Sequence, residues 1–89
     1  MVQTIKISSE VLTQEVGGET VILDLKSEGY FGLDEIGTRI WQLIQEQKNL
    51  QSVTETMLNE YDVEPDQLKT DIKNLINELV KSGLVDLED

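Results

Sequence analysis

The chain has 89 residues, with 18 Asp and Glu against 7 Lys and Arg for a net charge of −11, a single Pro, and neither His nor Cys. Such a length carries one small domain spanning residues 1–89, because a second hydrophobic core would not fit. Without imidazole or thiol there is no His general base, no thiolate nucleophile, no Cys/His zinc site and no iron–sulfur cluster. The acidity opposes nucleic acid and anionic membrane surfaces, and no apolar run approaches the ~18 residues of a membrane span. The start, MVQTIKISSE, lacks a signal-peptide pattern, so a cytoplasmic location is expected. Leu, Ile, Val and Phe make up about a third of the chain, enough for a folded core.

Thr4-Ile5-Lys6-Ile7 alternates, but over only four residues. Leu12 to Val16 and Thr20 to Leu25 flank Gly17-Gly18, a pair that supplies the positive φ angles of a tight hairpin. Lys26-Ser27-Glu28-Gly29 is a second turn cluster, and Tyr30-Phe31-Gly32-Leu33 a short aromatic strand. These read as a three-stranded antiparallel meander. Val21, Leu23 and Leu25 are expected to share a face continuous with Phe31 and Leu33.

From Asp34 the apolar period changes from two to 3.6. Asp34 suits an N-cap, and Ile36, Ile40, Trp41, Leu43 and Ile44 fall on one helical face to about Glu46. Ser52-Val53-Thr54-Glu55 has the form of a capping box for a second helix with Val53, Met57, Leu58 and Tyr61 inward. Pro65 suits the first position of a third helix carrying Leu68, Ile72, Leu75, Ile76, Leu79 and Val80. Gly83 is placed to end it in a left-handed turn, with Leu84 folding back on Leu79. The order predicts an α+β fold of winged helix-turn-helix type, a three-stranded antiparallel sheet followed by three helices.

Most candidate sites have ordinary explanations. Asp62-Val63-Glu64-Pro65-Asp66 begins like a calcium loop, but Gln67 stands where Gly is needed and Lys73 where a bidentate Glu is needed. Acids such as Asp34 and Glu35 cap helices or lie on polar faces, which does not make a desolvated catalytic pair. The glycines show no phosphate-loop spacing. Neither a metal nor a cofactor is expected, and no catalytic residue.

Two features are more specific. Gly29 to Leu33 ends the meander without a charged residue, so it is either an unblunted edge open to strand addition or simply core and turn. At 100° per residue the apolar arc of the third helix spans about 140°, from Leu75 to Val80. Asp71 and Glu78 border its Leu75 side, and Lys69 and Lys73 its Ile76 side. That arc either packs entirely on the core or also lines a groove.

Glu19 to Leu25, then Gly29-Tyr30-Phe31, Leu33-Asp34-Glu35-Ile36-Gly37-Thr38-Arg39-Ile40-Trp41-Gln42-Leu43-Ile44, Tyr61-Asp62-Val63 and Leu79-Val80-Lys81-Ser82-Gly83-Leu84-Val85 together resemble the PqqD family over residues 11–85. Asp34 replaces the family's Asn, a conservative exchange at an N-cap. Gly37 and Trp41 depart from the pyrroloquinoline-quinone branch, whose members chaperone that precursor peptide, and look more like stand-alone recognition proteins of lasso-peptide pathways. The resemblance implies a non-catalytic module that binds the leader of a ribosomally made precursor and presents it to a separate leader peptidase and cyclase. It further implies strand addition on Tyr30, Phe31, Gly32 and Leu33, and a groove on the last helix formed by Leu68, Asp71, Ile72, Leu75, Glu78 and Leu79. A monomer is expected. The alternatives are a winged-helix interaction subunit that binds a folded partner through the third helix or dimerises through the same edge strand, and the pyrroloquinoline-quinone precursor-peptide chaperone.

Overall fold

The computed structural model describes residues 4–88. Its elements are β1 (Thr4–Ile7), β2 (Val11–Val16), β3 (Glu19–Asp24), β4 (Tyr30–Leu33), α1 (Glu35–Gln47), α2 (Leu50–Glu60), α3 (Pro65–Lys81) and β5 (Val85–Glu88). Gly17 and Gly18 take φ of 61° and 84° and fold β2 back onto β3, giving the antiparallel order β2-β3-β4 that the turn chemistry predicts. The three helices follow, in the α+β winged-helix arrangement expected from the sequence.

The inward face of the meander differs from the sequence reading. Phe31 lies opposite Ile22 and Leu33 opposite Thr20, so these four residues face the helices, with Thr20 and Ile22 fully buried. Val21, opposite Gly32, and Leu23, opposite Tyr30, point to the other side, where Val21 and Leu25 are exposed. Period two assigns residues to alternate faces without saying which is inner. Here the outer set holds more apolar residues than the inner one, which reverses the inference.

Side-chain caps set the helix ends. Asp34 accepts a hydrogen bond from the Gly37 N–H at 2.8 Å and starts α1 directly after β4. For α2 the cap is Asn49, which accepts from the Ser52 N–H at 3.0 Å. The helix therefore begins at Leu50 and the capping box expected from Ser52 is not used. Glu64 caps α3 ahead of Pro65. At its far end Gly83 has φ 77°, its N–H donates to the Val80 carbonyl, and the Leu84 N–H donates to the Leu79 carbonyl. That pair of bonds is a Schellman turn.

The turn throws the chain into β5, a strand the sequence reading did not foresee, which pairs antiparallel with β1 in a separate two-stranded sheet. Ile5 and Val85, one from each strand, join a core centred on Trp41, Ile44, Met57, Ile72 and Leu79. Between helices, Arg39 of α1 donates from Nε and a terminal nitrogen to the two Glu60 oxygens of α2 at 2.7 and 2.6 Å. This bidentate bond holds the Glu60 carboxyl below its ordinary range.

A Cβ at Gly83 would meet no atom within 4 Å, so the cost of a side chain there is purely that of the left-handed backbone. Gly83→Ala is expected to lower stability by about 1 kcal/mol, read from the midpoint of urea unfolding monitored by circular dichroism.

Candidate functional site

β4 is an edge strand, and the hydrogen-bond parity of the sheet decides which of its backbone groups are free. Residues of an antiparallel pair alternate between exchanging bonds and pointing them away. The Asp24 N–H donates to the Gly29 carbonyl at 2.8 Å, which fixes the even-numbered residues of β3 as those bonded towards β4. The Leu25 N–H donates to the Glu10 carbonyl at 2.9 Å, which fixes the odd-numbered ones as bonded towards β2. By the same register Phe31 and Leu33 are committed to Ile22 and Thr20. Tyr30 and Gly32 are left with their N–H and C=O groups directed away from the sheet.

That open edge borders a groove of about 520 Å³, with Phe31, Gly32 and Leu33 on one wall and Asp71, Leu75 and Glu78 of α3 on the other. Its end is formed by Ile36 and Gly37 in the first turn of α1. A Cβ on Gly37 would lie 3.3 Å from both the Leu33 side chain and the Asp34 carboxylate, so the glycine lets α1 start pressed against the end of β4. Leu75 is half-buried, whereas Asp71 and Glu78 are exposed at the rim. Asp71 accepts a hydrogen bond from the Gln67 amide at 2.9 Å, which steadies its carboxylate. At the other end of the strand a smaller cleft of about 170 Å³ runs between Tyr30 and Phe31 and the α3 terminus at Ser82 and Leu84.

Of the residues singled out from the sequence, Phe31, Gly32, Leu33, Asp71, Leu75 and Glu78 come together around this groove, and Tyr30 adjoins it, 80 % exposed. Leu68, Ile72 and Leu79 do not reach it. All three are buried in the core, and Ile72 underlies the opposite flank of α3. Their place in the groove was implied by the family resemblance, and a helical projection, which gives direction but not depth, did not separate groove from core. Ile36 shares a helical face with Ile40 by spacing, yet it is 41 % exposed at the groove's end while Ile40 is buried. The available signal was Asp34: a cap immediately after β4 puts the first helical turn beyond the sheet that would have covered it.

The arrangement can hold an extended chain by its backbone and a few apolar side chains. Among the described residues no group of three or more His, Cys, Asp or Glu is placed to hold a metal, and no helix is long and apolar enough to cross a membrane.

A scan against family models matches residues 19–85 to "Coenzyme PQQ synthesis protein D (PqqD)". Among solved structures, TbiB1 in complex with the TbiA(beta) leader peptide is 32 % identical, with a TM-score of 0.85 over 91 % of this chain and 94 % of that one. A lasso peptide synthetase B1 complexed with its leader peptide has the same fold at 23 % identity, with a TM-score of 0.81 over 92 % of this chain and 96 % of that one. A search of curated proteins returned no match.

The hydrogen-bond parity of β4 is directly measurable. In the free protein the Tyr30 and Gly32 amides are expected to exchange with deuterium at least about tenfold faster than those of Phe31 and Leu33, as read by NMR.

Proposed function

Because the chain belongs to the PqqD family, we propose that it recognises the leader of a ribosomally synthesised precursor peptide, of the lasso type. The observation that carries this reading is the pair of unbonded backbone groups on Tyr30 and Gly32 beside a groove lined by Phe31, Leu33 and Leu75 with acidic margins. An incoming leader strand pairs antiparallel with β4, running from the Leu33 end towards Tyr30. Main-chain bonds supply affinity with little demand on sequence, while side chains on alternate positions of the leader enter the groove against Leu75 and supply selectivity. Support comes from TbiB1, which shares the fold at 32 % identity and is seen with a leader peptide.

On this reading the chain, a single domain over residues 1–89, is a carrier and not a catalyst. It works in the cytoplasm and presents the bound precursor to a separate leader peptidase and cyclase. A second reading, a protein-interaction or dimerisation subunit, draws on the outer sheet face, where Leu12, Val21 and Tyr30 are exposed. Light scattering separates the two: a monomer binding one leader supports recognition, and a dimer indifferent to leader supports the alternative.

Gly32 tests the strand-addition model with its own control. A Cβ at Gly32 would meet nothing within 4 Å, so Gly32→Ala is expected to fold and bind leader nearly as wild type. Gly32→Pro removes the outward N–H without touching the bonds to β3, and is expected to abolish binding in fluorescence polarisation. Full affinity in a folded proline variant would refute the model.

The rim acids predict the charge of the ligand. Asp71 and Glu78 suit a leader bearing Lys, so affinity is expected to fall as salt rises from about 0.05 to 0.5 M, with a smaller fall in Asp71→Asn/Glu78→Gln. A salt-independent Kd would show that these carboxylates do not contact the peptide's charges.

A further inference from the structure

α3 has a second flank that the leader groove does not use. Ile72 and Ile76 underlie a groove of about 620 Å³ walled by α2 and closed by Leu87 of β5. No residue of this groove lines the one beside β4. Leu50, Leu58 and Leu87 are only half-buried and leave apolar surface along it. The lining positions repeat at helical spacing on both walls, Leu50, Thr54 and Leu58 on α2 and Lys69, Lys73 and Asn77 on α3. Two such walls over an apolar floor are the setting in which one amphipathic helix docks.

The margins of the groove specify its occupant. Lys69 and Lys73 stand one turn apart on the α3 side, and Glu55 stands on the α2 side. Among the described residues the salt bridges engage Lys6, Lys26 and Arg39, and neither Lys69 nor Lys73 has an acid within 4.0 Å. In a chain with 18 acids and 7 bases, two adjacent lysines without an acid partner beside an apolar floor form a local reversal of the protein's charge. We propose that this groove receives an amphipathic helix with an acidic flank, supplied by a protein that acts on the leader-bound precursor. Its apolar side would seat on Leu50, Leu58 and Leu87 and its carboxylates would face Lys69 and Lys73. The charge of the occupant follows from the groove itself; its source rests on the function proposed above. The basic and acidic flanks of α3 would then keep two ligands apart by sign, an acidic helix on one side and a Lys-bearing leader on the other.

The test uses the full chain and two synthetic helical peptides of about 15 residues. Both carry Leu on one face; one has Glu and the other Lys along the flanking stripe. In NMR titrations the Glu peptide is expected to shift Thr54, Lys73 and Asn77 and to leave Gly32 unmoved. Lys69→Glu/Lys73→Glu should weaken the Glu peptide about tenfold or more and strengthen the Lys peptide, and Lys69→Gln/Lys73→Gln should weaken the former without the reversal. Circular dichroism confirms that each variant folds. No binding, equal affinity for the two peptides, or shifts on the sheet instead of α2 and α3 would overturn the proposal. Purified leader peptidase or cyclase is expected to displace the Glu peptide, and failure of both would refute that source. A parallel leader titration keeps the two readings distinct: leader affinity should be unchanged in the lysine variants, and its absence in the wild type would refute leader recognition while leaving the groove result intact.

Discussion

Everything at the β4 edge depends on β3 being the central strand of its three-stranded sheet, bonded to β2 on one side and β4 on the other. Its odd-numbered residues spend their N–H and C=O groups on β2 and its even-numbered residues on β4, as the bonds of Asp24 and Leu25 at its C-terminal end establish. The same parity that directs Thr20 and Ile22 inward as side chains commits Phe31 and Leu33 as backbone. It therefore leaves Tyr30 and Gly32 as the residues whose backbone is free, and their side-chain positions point to the outer face. Burying the inner face and exposing the edge are one geometric decision, so slipping β4 by one residue to free the Phe31 backbone would also turn the Phe31 and Leu33 side chains to the outer face.

α3 turns that edge into one wall of a groove. Its buried residues, Leu68, Ile72, Ile76 and Leu79, fix the helix on the core, while its charged residues stand at the borders. Acidic residues fall on the β4 side and lysines on the α2 side, with one helix forming a wall of each groove.

Helix boundaries were legible in the sequence wherever one residue type does a local job: Asp34 at a cap, Pro65 in a first turn, Gly83 in a left-handed turn. The start of α2 was not, because Asn49 and Ser52 are both competent caps three residues apart and only the tertiary setting chooses between them. β5 escaped notice for a different reason. Val85 to Glu88 is a strand only because β1, at the far end of the chain, lies beside it. The inner face of β3 was misassigned because Val21 and Leu23 on its outer face are more apolar than the inner pair, Thr20 and Ile22. At the site, the uncharged run from Gly29 to Leu33 marked the edge and helical projection found Asp71, Leu75 and Glu78. Ile36 and Gly37 were hidden by their membership of another helix, whose approach to β4 is a matter of packing.

The pairing of β1 with β5 sets Thr4 opposite Glu88, so the two ends of the described chain lie about 5 Å apart, Cα to Cα. A domain that enters and leaves at the same point can be spliced into a surface loop of another protein without stretching the host. Joining its ends through a short linker and reopening the chain at the exposed Lys26 to Gly29 turn would likewise give a circular permutant in which β3 and β4 are no longer consecutive. The strand that offers its edge would then begin the polypeptide, and its partnership with β3 would depend on sheet pairing alone.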